Sequence, residues 1–192
     1  MAKLEIMVGP MFASKSTELL RRLFTVSQIG KKSLYINHNN DVRNSQDVFS
    51  THNPQLKERL SDLSVKMLSV NSLEDVDIND VITADIIGID EAQFFTSLEL
   101  VKKYVDVYKK HVIIVGLDGD IHRNLFGEIY KLLPYCDVIT KLSAFCIPCG
   151  KNGKLTNAIH TKYIGVDNSN ILNVGSHDKY QSVCRECYLS YN

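Results

Sequence analysis

Three groups of residues in this chain have types and spacings that can do chemistry. The first is Gly9-Pro10-Met11-Phe12-Ala13-Ser14-Lys15-Ser16-Thr17. A loop that cradles phosphates needs glycine where backbone N–H groups turn inward. It also needs a lysine to reach the terminal phosphates and a Ser or Thr hydroxyl to help hold Mg²⁺. Gly9, Lys15 and Ser16 meet these needs, with Thr17 beside them, but Ser14 stands where the pattern G-x-x-x-x-G-K-[ST] has its second glycine. The alternative is a Gly-Pro turn in which Ser14, Ser16 or Thr17 merely caps a helix.

The second group is Asp90-Glu91, which closes the apolar run Ile86-Ile87-Gly88-Ile89. Carboxylates at the C-terminal end of a buried strand, downstream of a phosphate loop, fall beside the metal and the terminal phosphate. Asp90 suits a metal-bound water, and Glu91 suits general-base removal of a proton from an attacking hydroxyl. The competing reading makes the pair a cap for the next helix. The third group is Cys146-Ile147-Pro148-Cys149 and Cys184-Arg185-Glu186-Cys187. Two C-x-x-C knuckles supply four thiolates for a tetrahedral Zn²⁺, a closed and therefore structural site. A disulfide or redox role is the alternative. Cys136 lies outside the pattern and reads as a buried apolar residue.

Elements must position these groups. Leu4–Val8 reads as a buried strand delivering the loop, and Ser16–Ile29 as an amphipathic helix with Leu19, Leu20, Leu23 and Val26 inward, stopped at Gly30. Strands follow at Ser33–Asn37, Val65–Val70, Ile86–Ile89 and Val112–Leu117. Helices are expected from Ser72 through Ile82, over Ser97–Lys110, and over Ile121–Leu133 with Pro134 as its end. Strands alternating with helices predict an α/β domain on a parallel sheet. Between His38 and Asp62 the pattern dissolves into polar residues, a length of loop that is either solvated or functional. It carries Asp41, Arg43 and Ser50-Thr51-His52. Past Val138 the alternation stops. Thirty-four residues lie between Cys149 and Cys184, so a metal would staple both ends of a flap. Its middle, Ile171-Leu172-Asn173-Val174-Gly175, alternates like an edge strand whose backbone could meet a flat ligand.

With 192 residues, the chain has room for one α/β domain and a small appendage. Lys+Arg and Asp+Glu are 22 each, so there is no electrostatic footprint for nucleic acid or an anionic membrane. No signal-peptide core and no membrane-length apolar run is present, which predicts a cytoplasmic protein. Its cysteines then sit in a reducing compartment.

Taken together the chain resembles the type II thymidine kinase family. The motifs that carry the resemblance are Gly9-Pro10-Met11-Phe12 with Lys15-Ser16-Thr17-Glu18-Leu19, Asp41-x-Arg43, Ser50-Thr51-His52, and Ile87-Gly88-Ile89-Asp90-Glu91-Ala92-Gln93-Phe94-Phe95. Leu117-Asp118-Gly119 with Arg123 and Phe126-Gly127, both cysteine pairs, and Asp178-Lys179-Tyr180-Gln181-Ser182-Val183 extend it over nearly the whole length. The resemblance implies a RecA-like P-loop domain with a parallel sheet (residues 1–142) and a small zinc-binding lasso domain (143–192). It implies transfer of the γ-phosphoryl group of ATP to the 5′-hydroxyl of thymidine with Mg²⁺, Glu91 as base, and ATP contacts from Gly9, Ser14, Lys15, Ser16, Thr17, Asp41, Arg43, Asp90 and Gln93. The implied nucleoside pocket is Met11, Phe94, Leu117, Phe126, Thr161, Ile171, Asn173, Gly175 and Tyr180. A homotetramer, feedback by thymidine triphosphate, and no nucleic-acid or membrane partner are implied as well.

Positions that depart from the family pattern are Ser14, Ile121 after the Asp-Gly turn in place of an aromatic, and Asn173 in place of an apolar residue. Tyr163 also replaces a common basic residue. Ser14 must crowd the phosphates or hold a strained backbone, at about 1–2 kcal/mol if its φ is positive. Rival readings are an impaired or non-catalytic thymidine-binding relative, and a zinc-knuckle nucleic-acid-binding protein, which size and neutral charge disfavour.

Overall fold

The computed structural model describes residues 1–39, 65–165 and 179–190. Leu4-Glu5-Ile6-Met7-Val8 is the apolar part of β1 (Lys3–Val8), which leads through the Gly9–Ser14 loop into α1 (Lys15–Ser27). β2 (Ser33–His38), β3 (Val65–Val70), β4 (Ile86–Ile89), β5 (His111–Gly116) and β6 (Val138–Lys141) complete a six-stranded sheet of order β3-β2-β4-β5-β1-β6. All five pairings are parallel. One strand, β5, separates the strand that carries the loop from the strand that carries the acidic pair, so both deliver their ends to the same sheet edge.

Period-two alternation decides which side chain meets which layer. Leu4, Ile6 and Val8 of β1 pack with Leu34, Ile36, Ile87, Ile89, Val112 and Ile114 on one face, under Leu98, Val101 and Leu132. Met7, Tyr35, Ile86, Ile113 and Val115 point the other way and meet Leu19, Leu20 and Leu23 of α1. Every one of these residues except Val8, at 8 %, is at most 1 % exposed. At about 25 cal/mol per Å² of apolar surface buried, these two layers are the main source of the fold's stability.

The expected helix from Ser72 through Ile82 is two pieces. A 3₁₀ turn at Leu73–Asp75 is closed by a capping box between Ser72 and Asp75, and α2 (Ile78–Thr83) is capped by the Asp77 carboxylate on the Asn79 N–H. The Ser97–Lys110 helix shortens to α3 (Leu100–Asp106). Over Ile121–Leu133 the expectation fails. The Asp120 carboxylate accepts from the N–H groups of His122 and Asn124, tying residues 120–124 into a turn, and Gly127 takes φ 68°. Only a 3₁₀ helix at Ile129–Tyr135 forms, and Pro134 lies inside it rather than ending it. β6 is an edge strand that apolar patterning does not reveal, because Val138 and Ile139 are both exposed.

Beyond β6 the chain builds a small module: β7 (Ala144–Phe145) pairs antiparallel with β8 (Asn157–Ala158), and β9 (His160–Tyr163) with β10 (Tyr180–Val183). Two short helices, α4 (Ile147–Lys151) and α5 (Arg185–Leu189), carry the second cysteine of each pair. Its core is Ala144, Cys146, Ala158, Val183 and Cys184, and Ala13 of the β1–α1 loop is buried in the same cluster with Phe12 packed against it.

Candidate active site and metal centre

The loop after β1 is shaped from both sides. A Cβ on Gly9 would sit 2.5 Å from the Leu142 carbonyl oxygen, so the residue is glycine because the chain leaving β6 passes there. Leu142 in turn donates its N–H to the Val8 carbonyl at 2.8 Å. Ser14 is left-handed, φ 56° and ψ 29°, and its side chain makes no cap hydrogen bond. It therefore holds the backbone conformation that the pattern's glycine would supply. Its carbonyl accepts the Glu18 N–H at 3.0 Å and starts α1. The Lys15 ammonium donates to the Pro10 carbonyl at 2.8 Å, folding back across the loop.

At the end of β4, Asp90 is 1 % exposed and Glu91 8 %. The Tyr35 hydroxyl donates to Asp90 Oδ2 at 2.8 Å, and the Glu91 N–H donates to Oδ1 at 2.9 Å. Glu91 is also left-handed, φ 49°, and heads the 3₁₀ turn Ala92–Phe94 without capping it through its side chain. Its carboxylate instead accepts from Gln93 Nε2 at 2.6 Å. The amide of Gln93 has one orientation only, because its Oε1 accepts the Leu117 N–H at 3.0 Å. Gly127 closes over Gln93 so tightly that a Cβ there would lie 2.2 Å from the Gln93 carbonyl oxygen. The end of β4, the end of β5 and the Phe126-Gly127 segment thus meet at one glutamine.

The nucleoside-pocket candidates among the described residues fall into two sets, Phe94, Leu117 and Phe126 at this junction and Met11, Thr161 and Tyr180 on the phosphate loop and the cysteine module. Phe94 and Phe126 meet edge to face at 5.7 Å between ring centroids. The Met11 N–H donates to Thr161 Oγ1 at 2.9 Å, joining the phosphate loop to β9. Tyr180 is buried in β10 with its ring against Tyr163 at 5.4 Å, so Tyr163, where a basic residue is usual, serves as a packing partner. Burial, and then the neighbouring Tyr163, push the Tyr180 phenol above its ordinary value. Arg123 is exposed, with its guanidinium 4.5 Å from the Tyr188 ring centroid. Asp41, Arg43, Ser50-Thr51-His52, Ile171, Asn173 and Gly175 lie outside the described residues.

Cys146, Cys149, Cys184 and Cys187 bring their sulfurs within 4.8 Å of one another. Sulfurs at the corners of a tetrahedron of about 2.3 Å Zn–S bonds stand about 3.8 Å apart. Cys149 Sγ is 3.9 Å from Cys184 Sγ and 3.6 Å from Cys187 Sγ, so the donor set fits a metal such as zinc. The sulfurs do not ionise alike. Burial opposes ionisation of Cys146, yet backbone N–H groups at Cys184 and Cys149 bring it down to about 7. Contacts with the sulfurs of Cys149 and Cys184 push Cys187 up to about 12. Cys136 is half-buried, its thiol on the Leu133 carbonyl at 3.2 Å, and takes no part in the cluster.

Sequence reasoning missed Tyr35 and Tyr188. A tyrosine in the middle of a buried strand needs a partner for its hydroxyl, but the sequence does not say which residue supplies it. Tyr188 gave no signal beyond its place next to Cys187.

A parallel sheet that brings a phosphate-type loop and a buried acidic pair to one edge, with a four-cysteine module against the loop, defines a RecA-like P-loop α/β protein with a metal-binding appendage. Comparison narrows the class. The family model described as "Thymidine kinase" matches residues 2–188. Curated relatives named thymidine kinase include those of Yaba monkey tumor virus and Amsacta moorei entomopoxvirus. The first is 35 % identical over 189 residues, 98 % of this chain and 96 % of the relative. The second is 37 % identical over 190 residues, 96 % of this chain and 97 % of the relative. A Bos taurus relative named cytosolic thymidine kinase is 38 % identical over 189 residues, covering 97 % of this chain and 72 % of the relative. The chain belongs to the thymidine kinase family.

Proposed function

We propose that this chain transfers the γ-phosphoryl group of ATP to the 5′-hydroxyl of thymidine, giving thymidine monophosphate and ADP. The observation that carries the reading is the buried Asp90-Glu91 pair, held by Tyr35 and Gln93 at the sheet edge that also receives the phosphate loop, in a chain of this family. Glu91 takes the proton of the 5′-hydroxyl as its oxygen bonds to the γ-phosphorus. The bond from that phosphorus to the bridging oxygen breaks, and ADP leaves with the electron pair. Gly9, Ser14, Lys15, Ser16 and Thr17 hold the phosphates, Asp90 would serve as the metal-side carboxylate, and Gln93 serves the same side. Mg²⁺, when bound, would neutralise negative charge on the phosphates. Asp41 and Arg43 join this set by the family pattern. Met11, Phe94, Leu117, Phe126, Thr161 and Tyr180 line the nucleoside side, with Ile171, Asn173 and Gly175 from the same pattern.

The four cysteines hold a structural Zn²⁺. A homotetramer rests on the family pattern, and the exposed apolar Val138 and Ile139 of the edge strand β6 offer one surface for a subunit contact. Feedback by thymidine triphosphate rests on the family pattern. A cytoplasmic location is supported by the Bos taurus relative named cytosolic, and no described helix is long and apolar enough to cross a membrane. The separate cores of the sheet and the cysteine module support a division of the chain near residue 142.

The test is ADP release with Mg²⁺-ATP and thymidine, with deoxycytidine for comparison, on the chain and on Glu91→Gln. Thymidine-dependent release that falls by about 10²–10⁴-fold in Glu91→Gln is expected for loss of a general base. No thymidine-dependent release from the unmodified chain would overturn the reading.

A further inference from the structure

We infer that Tyr188 is a positioning residue through which the cysteine module sets the shape of the turn between Leu117 and Phe126. Its hydroxyl donates to the Ile121 carbonyl at 2.7 Å, across 67 residues of sequence. The Arg123 guanidinium lies 4.5 Å from its ring centroid and the Lys162 ammonium 5.7 Å, while the His160 ring stands 5.1 Å away. Lys162 also donates to the Tyr188 carbonyl at 3.2 Å. One side chain therefore touches the tip of the turn and the strand that carries Thr161, the residue bonded to the phosphate loop at Met11.

The Asp120 carboxylate closes the turn on itself, so what remains to be set from outside is where the turn sits. Residues 122–125 are exposed, and Arg123 sits at φ 67°, a left-handed conformation that an isolated chain visits at a cost. The base of the turn is fixed elsewhere, by the Leu117 N–H on Gln93 and by the ion pair of Asp118 with Lys141 at 2.6 Å. Tyr188 is what docks the tip onto the cysteine module. Its own position comes from α5, a helix of five residues, far too short to be stable alone. Cys184 and Cys187 anchor that helix, and Tyr188 follows Cys187 directly. A metal on the cysteines fixes α5, α5 fixes Tyr188, and Tyr188 fixes the turn that spaces Leu117 from Phe126.

This inference rests on the reading that Leu117 and Phe126 line the nucleoside side of the site. The experiment uses the full-length zinc-loaded chain with Tyr188→Phe, which removes only the hydroxyl, and Tyr188→Leu, which removes the ring as well. Zinc content, deuterium uptake over residues 117–127 and over β1, and KM for thymidine and for ATP are measured on each. Expected is faster exchange over 117–127 with β1 unchanged. The KM for thymidine should rise about threefold to tenfold in Tyr188→Phe, the scale of one lost hydrogen bond, and further in Tyr188→Leu, with zinc stoichiometry intact. Chelating zinc from the unmodified chain should raise exchange over the same residues. Unchanged exchange over 117–127 in Tyr188→Phe, or chelation that loosens the cysteine module alone, would overturn the inference. If Tyr188→Leu loses zinc or unfolds, Tyr188→Phe decides. Absence of thymidine turnover in the unmodified chain is a failure of the kinase reading instead, and the exchange data still test the coupling.

Discussion

Ser14→Gly is a substitution whose effect can be worked through from backbone geometry. Ser14 has φ 56° and ψ 29°, its side chain is exposed, and it makes no cap hydrogen bond, so removing the side chain deletes no capping bond. What changes is conformational preference. The left-handed region costs a non-glycine residue about 1–2 kcal/mol, and glycine is released from that cost. Glycine also loses more chain entropy on folding, which returns about 0.5–1 kcal/mol. The net gain is about 0.5–1 kcal/mol, and for a chain of this size each kcal/mol moves the melting temperature by about 2–4 °C. Thermal unfolding of the zinc-loaded protein should thus show Ser14→Gly melting about 1–4 °C higher. Ser14→Ala is the control: it keeps a Cβ at the same φ and should not gain. Because the loop backbone already has the glycine geometry, the KM for ATP should change by less than about threefold in Ser14→Gly, the size of a few tenths of a kcal/mol. A lower melting temperature for Ser14→Gly, or equal gains for glycine and alanine, would refute the argument. The first would mean that the serine hydroxyl stabilises the loop, and the second that the effect is not conformational.

Two further outcomes follow from the hydrogen-bond and ion-pair networks. Gln93→Met should lower kcat by about tenfold to a hundredfold in steady-state kinetics through loss of the bond to the Glu91 carboxylate. In a Glu91→Gln background the same substitution should cost almost nothing further, since the two act as a unit. Glu5 is 7 % exposed and contacts Lys3 at 2.9 Å, Arg22 at 2.6 Å and His111 at 2.8 Å. Burial opposes its ionisation, but the Lys3 and His111 hydrogen bonds outweigh it and hold the carboxyl below its ordinary 4.5. A depressed folded-state value means that the stabilisation is present above 4.5 and is lost as pH falls through the folded value. Urea unfolding of Glu5→Gln should therefore show about 2 kcal/mol less stability at pH 7. The difference from the unmodified chain should shrink below pH 4.5. A gap that persists at low pH would assign the effect to packing.

The strands of the sheet were legible because parallel strands buried on both faces read as short apolar runs, and Leu4–Val8, Ile86–Ile89 and Val112–Gly116 are such runs. β6 was not, because an edge strand with exposed Val138 and Ile139 has no burial pattern to show. The false helix over Ile121–Leu133 arose from the helical spacing of Phe126 and Tyr130. Neither the carboxylate of Asp120, which captures two N–H groups, nor the close approach of Gly127 to Gln93 leaves a periodic trace. The chemistry-bearing residues stood out by type and spacing, whereas their supports did not. Tyr35, Leu142 and Tyr188 act through contacts far apart in sequence, and such contacts exist only once the chain is folded.

Backbone strain marks the same edge of the sheet. Five non-glycine residues among those described have positive φ: Phe12 at 65°, Ser14 at 56°, Glu91 at 49°, Lys109 at 56° and Arg123 at 67°. Lys109 follows the end of α3, where a left-handed residue is an ordinary way to leave a helix, and it is exposed on the far side of β5. The other four follow β1, β4 and β5, on the segments that carry the phosphate loop, the acidic pair and the turn beside Leu117. At about 1–2 kcal/mol each they sum to about 4–8 kcal/mol, a large share of what a domain has to spend. They persist because packing over-determines most of them. Phe12 is held against the cysteine module, Glu91 by Gln93 and Arg123 by the Tyr188 ring. Selection for stability alone would place glycine at such positions. At Phe12, Glu91 and Arg123 a contact of the side chain itself offsets the strain, whereas Ser14 is exposed and has no cap hydrogen bond to do so.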